Sequence, residues 1–517
     1  MNITSVLKKI IKTLSQNEKK QLLDEHVSVK NLGRQSKTLM LIKLLIEEKE
    51  YSDNEIQNKI YGKVSYLAFN KLCSRLKDNI LELIIKDSAI ENSNYSDRNK
   101  QLFLLRKKSL QVEVLHLKGL NENIISMYNS ITNKAKEYEF YDIQLQTLNS
   151  KIKILGAFGR NSEIKELQEE IKIVEHQLIT FNNSQAIYQK VINKISFHSD
   201  TKNYESLLLE SIKLLQLNVE STNSKIIKYY LLNLEVEKCQ IDKNYISANN
   251  HLLELKDLLK LSKSIYTKNR YASLIVNLAN NYLLLNELEE AINYANNSKI
   301  LLSENEIALK LVDEILFYSN FYLGNFKGIN QYLDFDSSFR RNETNEVIYQ
   351  KFNFYKANMH FIQKEYLECI SILENHSEID RDKEGWNIWK RILLLLAKIE
   401  CGEIDSIDLT IANLVQFFKR NSKLKDVNPR YRLIIKICIN LINDDLNPQT
   451  IQKKHKKYVK NYELLLLPKY QWQPKSPELI IFENWFLHKF SFLRNYIDSS
   501  STEYLKKKLV GESNLPN

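Results

Sequence analysis

The chain has 517 residues, 43% of them apolar, and a formal net charge of +11. All six prolines fall from Pro429 onward and only ten glycines are present; proline costs a helix interior about 3 kcal/mol and glycine about 1, so the stretch before Pro429 is free to be almost wholly helical. Cys73, Cys239, Cys369, Cys401 and Cys438 contain no C-x-x-C pair, Met1–Lys9 lacks a signal-peptide core, and no apolar run spans a bilayer, so a cytoplasmic chain with reduced, buried cysteines is expected.

The charge is uneven: +5 over residues 1–100, −4 over 101–414 and +10 over 415–517. Residues 1–88 read as a small helical unit. Ser15 with Glu18 and Ser52 with Glu55 have capping-box spacing, and Ser36 is placed to cap the helix carrying Leu39, Leu41, Leu44 and Leu45. Gly62 ends a short helix over Asp53–Tyr61, and Ser65 opens a long one. This arrangement resembles a helix-turn-helix, in which Lys71, Arg75 and Lys77 would face phosphates; the competing reading is a cap on the first turn of a solenoid, with solvated lysines. Residues 89–100 are polar and aperiodic and read as a linker.

From residue 101 to 420 a repeat takes over. Its turns align at Gly119-Leu120, Arg160-Asn161, Asn203-Tyr204, Asn244-Tyr245, Glu287-Leu288, Asn325-Phe326, Glu365-Tyr366 and Glu403-Ile404, 38 to 43 residues apart. Three residues beyond each of the last six stands Leu207, Ala248, Ala291, Ile329, Cys369 or Ile407, an offset that puts it on the turn residue's helical face. Leu278, Ala279, Tyr282 and Ala291, and again Ala357, Tyr366 and Cys369, resemble the tetratricopeptide repeat (TPR). The step of about 40 residues is longer than that repeat's usual 34, and the proline that closes its second helix is absent. The resemblance implies an all-α protein, a right-handed α-solenoid of TPR-like hairpins with longer helices, similar to bacterial TPR-like proteins without an assigned activity.

Residues 421–498 read as a basic, aromatic helical cap. Pro429 and Pro448 are placed to begin helices, and Lys453, Lys457 and Lys460 fall on one face of a helix through Ile451–Lys460. Tyr458, Tyr462, Tyr470 and Trp472 nearby suit either base stacking or a core. A closing aromatic helix holds Phe482, Trp485, Phe486 and Phe490. Residues 499–517 read as a polar tail.

No phosphate-binding glycine loop, H-E-x-x-H pair or nucleophile–base set is found, so no enzyme, cofactor or metal is expected. Gly156–Gly159 has a GxxG outline but stands where glycine ends a helix. His360 takes a repeat position where tyrosine is usual and reads as core. In a TPR array the first helix of each pair lines a groove, and counting back from each turn puts Asn233, Glu237, Asn277, Asn280, Glu314, Tyr318, Lys351 and Asn358 there. The leading expectation is a non-catalytic scaffold holding a protein or peptide in that groove. The alternative is a transcription regulator with a DNA-binding N-terminal unit and a peptide-sensing solenoid. A nucleic acid or another acidic partner at the basic C-terminal region is a further candidate.

Overall fold

The computed structural model describes residues 3–27, 36–47, 51–86, 90–91, 93, 95–120, 124–197, 204–302, 306–333, 343–379, 382, 385–402, 404–421 and 428–497. Among them the backbone forms α-helices and short 3-10 turns and no strand. Five helices open the chain: α1 (Ile3–Thr13), α2 (Gln16–Val27), α3 (Lys37–Ile46), α4 (Asp53–Tyr61) and α5 (Tyr66–Ile84). Both capping boxes form; Glu18 N donates to Ser15 Oγ at 3.3 Å while Ser15 N donates to Glu18 Oε2 at 2.7 Å, and Ser52 and Glu55 do the same. Gly62, with φ of 71°, closes α4. Ser36 precedes α3 but makes no side-chain cap bond, so that expectation is corrected. Leu7, Leu41, Ile56, Phe69, Leu76 and Ile80 share one core.

Next in the chain are α6 (Asp97–Leu117), α7 (Ile124–Glu137), α8 (Tyr141–Ala157), α9 (Asn161–Phe197), α10 (Tyr204–Thr222), α11 (Lys225–Ile241), α12 (Tyr245–Leu261), α13 (Lys268–Leu284), α14 (Leu288–Leu301) and α15 (Glu306–Leu323). After them come α16 (Glu343–Ile362), α17 (Tyr366–Asn375), α18 (Trp386–Cys401), α19 (Ile404–Asn421), α20 (Pro429–Asn443), α21 (Pro448–Lys453), α22 (His455–Leu466) and α23 (Phe482–Lys489).

One local device makes the hairpins. A helix ends, one residue adopts left-handed backbone, and the next residue's N–H bonds back to the carbonyl five positions earlier, which satisfies an orphan helix end. Gly119, Gly159, Lys243, Asn286, Gly324 and Lys364 all hold the left-handed position. The returning bonds, Arg160 to Leu155, Asn244 to Cys239, Glu287 to Tyr282, Asn325 to Asn320 and Glu365 to His360, measure 2.8–3.0 Å. Ala248, Ala291 and Cys369, three residues past the turn, are fully buried, as their offset requires.

Three features depart from the sequence reading. A further turn of the same geometry stands at Glu139-Phe140-Tyr141, with Phe140 N to Ala135 O at 2.9 Å. The turn at Asn325-Phe326 forms, and among the described residues a 3-10 turn over Ile329–Tyr332 comes after it where an α-helix is expected. The third is α9, 37 residues long and so about 55 Å at 1.5 Å per residue. Asn203 and Glu403, two other aligned turn residues, lie outside the described residues.

The chain divides into two compact units, residues 1–234 with 255–268 and residues 235–254 with 269–517. In the first, α7 packs on α6 and α8, and α9 packs on both α8 and α10. Leu167 and Val174 from the first half of α9 meet Tyr141, Leu148 and Leu155 of α8. Its second half turns to other partners, with Ser184 Oγ accepting from Asn218 of α10 at 2.9 Å and Tyr188 stacked on Tyr230 at 4.5 Å.

In the second unit α14 packs on α15, α16 on α17, α17 on α18 and α18 on α19. Ala279 and Ala291 are fully buried, small enough to let α13 and α14 approach, and Tyr282 stacks on Tyr294 across the same hairpin at 5.2 Å. The core continues without a break from Ala279 through Phe317, Tyr355 and Trp389 to Tyr458, Tyr462, Phe482 and Phe486. Tyr458 and Tyr462 are fully buried, so of the two roles open to them the structure selects core. Among the described residues the fold is all-α, built of helical hairpins packed on their neighbours.

Candidate functional site

The second unit carries a polar row along α13, α15 and α16, and a non-helical segment of the same unit crosses it. That segment, residues 467–481, joins α22 to α23. Pro474 and Pro477 bracket Lys475-Ser476, and proline keeps such a stretch from continuing a helix. Lys475 holds left-handed backbone at φ of 59°, a conformation a residue with a Cβ keeps only when its surroundings hold it there.

The side chains of this short segment meet several helices. Lys475 Nζ donates to Asn280 Oδ1 of α13 at 2.8 Å and lies 3.4 Å from Glu314 Oε2 of α15. The other oxygen of Glu314 accepts from Tyr355 of α16 at 2.5 Å. Burial, with the Glu314 carboxylate beside it, raises the Tyr355 phenol well above its ordinary pKa and keeps it a donor. Tyr318 OH donates to the Ser476 carbonyl at 3.3 Å, and the Trp472 indole meets Tyr322 edge-on at 5.2 Å. The Trp472 N–H donates to the Glu478 carbonyl at 2.7 Å.

From upstream in the chain, Arg430 of α20 anchors the segment. Its Nε and Nη2 donate to the two oxygens of Glu478, each at 2.6 Å. Nη1 donates to Glu483 Oε1 and to the Tyr470 carbonyl, both at 2.8 Å, and Nη2 also donates to Glu483 Oε2. All five guanidinium N–H groups are thereby used, two of the pairings being planar forks. Arg430, Glu478 and Glu483 are 2%, 1% and 4% exposed. Burial opposes the Arg430 charge but the two carboxylates outweigh it, so its pKa is raised.

Asn280, Glu314 and Tyr318, picked from sequence as groove-lining, are thus brought together, around Lys475 and Ser476. Glu314, Tyr318 and Asn358 are buried, which corrects the expectation of an open polar wall. Asn358 turns inward and bonds the Phe354 carbonyl at 2.8 Å. Asn233 is half-buried, donating to the Tyr229 carbonyl at 2.6 Å. Glu237 is half-buried and Asn277 exposed. Lys351 lies over the Trp386 ring at 4.9 Å.

Lys71, Arg75 and Lys77 are all exposed on α5. Lys453, Lys457 and Lys460 are exposed as well, but the helix breaks at Lys454, so Lys453 belongs to α21 and the other two to α22. That corrects the single continuous face. His360 is only half-buried and pairs with Glu365 across the turn at 2.6 Å, which corrects its reading as core. Among the described residues no group of three His, Cys, Asp or Glu side chains is placed to hold a metal ion, and no helix is long and apolar enough to cross a membrane.

Sequence reasoning missed Trp472, Lys475 and Ser476 as partners of the row. The proline-bracketed W-Q-P-K-S-P stretch was the available signal, an extended segment with an aromatic and a cation in a chain otherwise helical.

No family model and no curated protein matches the chain. Among solved structures it is similar to the crystal structure of the P58(IPK) TPR domain, at 11% identity, over 78% of this chain and 99% of that chain, with a TM-score of 0.22.

Proposed function

We propose that the protein is a non-catalytic scaffold that holds an extended polypeptide against the first helices of its hairpins. The observation that carries this reading is the seating of Trp472–Ser476 on Asn280, Glu314, Tyr318 and Tyr322. Polar side chains spaced over successive rigid helices suit an extended chain, whose carbonyls and side chains recur at short intervals. Asn277, on α13 with Asn280, and Lys351, on α16 with Tyr355, extend the row. Of the other residues read from sequence, Glu237 stands half-buried in the same unit, whereas the buried Asn358 takes no part in the row.

Selection of a displayed random-peptide library on the full-length chain tests this. The expected result is a family of peptides whose affinity falls about tenfold on Asn280→Ala, Glu314→Gln or Lys351→Ala, a loss of about 1.4 kcal/mol each. Failure to enrich any peptide, or binding indifferent to every residue of the row, would sink the reading.

A regulator that binds DNA through its N-terminal unit is the second reading, favoured by the exposure of Lys71, Arg75 and Lys77 on the helix after Gly62. A gel shift at low salt that is lost in the Lys71→Ala/Arg75→Ala/Lys77→Ala variant would carry it. No shift with the unmodified chain removes it.

A further inference from the structure

We propose that Asn280, Glu314, Tyr318 and Tyr322 form a receptor for a peptide carrying a lysine three residues after an aromatic, and that Trp472–Ser476 is its built-in competitor. This rests on the first helices being a peptide-binding face, and it names the chemistry of the peptide.

The receptor is defined by what it offers. Asn280 Oδ1 and Glu314 Oε2 present two acceptors to one ammonium, and the Tyr355 hydroxyl fixes the carboxylate from behind. Tyr318 supplies a donor for a main-chain carbonyl one residue on, and Tyr322 supplies an aromatic edge. A lysine suits this site better than an arginine, because the acceptors converge on a point and do not lie side by side as a fork demands.

The resident segment fits incompletely. Residues 471–476 are only half-buried, whereas Pro477 to Ile480 are buried. Lys475 sits in left-handed backbone. Ser476 Oγ is buried without a hydrogen-bond partner among the described residues, an unmet cost on the closed state. Arg430 holds the Tyr470 carbonyl before the half-buried stretch and the Glu478 carboxylate after it, so opening of residues 471–476 gives up the Trp472 N–H bond to the Glu478 carbonyl and leaves the Arg430 anchor closed. A tethered occupant lowers the apparent affinity for any external peptide by the fraction of time the site is open.

The test uses the full-length chain and a labelled synthetic peptide with the sequence of residues 470–478. The Trp472→Ala/Lys475→Ala variant is expected to bind it about tenfold or more tightly than the unmodified chain, because the competitor is weakened. Adding Glu314→Gln should abolish the gain, and the same peptide with alanine for its lysine should not bind. Equal affinity for both chains, or a gain untouched by Glu314→Gln, overturns the proposal. Should the double variant melt early, Lys475→Gln alone keeps the indole contact and makes the same prediction. In the unmodified chain, saturating peptide should speed amide exchange across residues 471–477; unchanged exchange counts against it. Library peptides that bind the row without needing a lysine would overturn this inference and leave the scaffold reading standing, whereas a library yielding no binder on either the unmodified chain or the Trp472→Ala/Lys475→Ala variant removes both.

Discussion

Replacing Arg430 by methionine is expected to destabilise the second unit by about 3–5 kcal/mol, seen as a large drop in the midpoint of urea denaturation. The cause is what remains: Glu478 and Glu483 would stay buried within the core with no counter-charge and with four carboxylate oxygens stripped of their guanidinium donors. Removing one partner of a buried ion cluster costs that much because the surviving charge is left in low dielectric, while replacing the whole cluster by apolar groups is often neutral. Arg430→Met combined with Glu478→Leu and Glu483→Leu should therefore recover much of the loss, unless the cluster's geometry is also needed to position the segment after Tyr470.

The cluster also sets a pH dependence of unusual sign. One guanidinium faces two carboxylates, and burial pushes the Glu478 carboxyl above its ordinary value of 4.5 despite the pull of Arg430. A folded-state pKa that is raised means the native chain takes up this proton more readily than the unfolded one. The stabilisation is fully present below the unfolded value and is lost as pH rises through the folded value. As pH rises from 4.5 the unmodified chain should thus lose ground to Glu478→Gln, measured by paired urea midpoints. A gain relative to Glu478→Gln with rising pH would contradict the assignment.

Gly385→Ala is the second substitution with a large expected cost, about 2–5 kcal/mol, because it combines backbone strain with a collision. Gly385 precedes α18 at φ of 93°, and a Cβ there would stand 2.7 Å from Cε2 of Tyr431, a buried ring next to Arg430. Its N–H donates to Asp382 Oδ1 at 2.9 Å, and Asp382 Oδ2 accepts from Asn387 N at 2.8 Å, so the backbone is held and has little room to yield. Gly402→Ala separates the two causes. Gly402 also has positive φ, 76°, but nothing lies within 4 Å of its would-be Cβ, so only the conformational cost of about 1 kcal/mol applies. Equal thermal shifts for the two variants would show that Tyr431 gives way freely.

The parts of the fold legible from sequence were those written in neighbouring residues. A left-handed turn residue, its successor and a small side chain three positions on are close in the chain, so Glu287-Leu288-Ala291 and Glu365-Tyr366-Cys369 stood out. The turn at Glu139-Phe140-Tyr141 was missed because it falls between the aligned turns at Gly119-Leu120 and Arg160-Asn161, off the step of about 40 residues; Gln144, three positions on, is buried and reaches back toward the Ala135 carbonyl at 3.4 Å. The 3-10 turn over Ile329–Tyr332 left no mark, since the turn chemistry before it is normal. What lay furthest out of reach was long-range pairing. Asn280 and Lys475 are 195 residues apart, and Arg430 stands 48 and 53 from its two carboxylates. Helical periodicity could place Glu314 and Tyr318 on a face, but it carries no information on what covers that face.

Helix α9 has one more consequence. Its opening turns complete the pairing with α8 and its later turns serve α10, so a single rod is shared where a repeat array ordinarily has a joint. In such arrays each module can fray or be pulled away while its neighbour persists. Here the boundary falls within continuous helical hydrogen bonding, and separating the modules on either side means breaking that helix. This stretch is therefore built to transmit tension and melting across the boundary as one event.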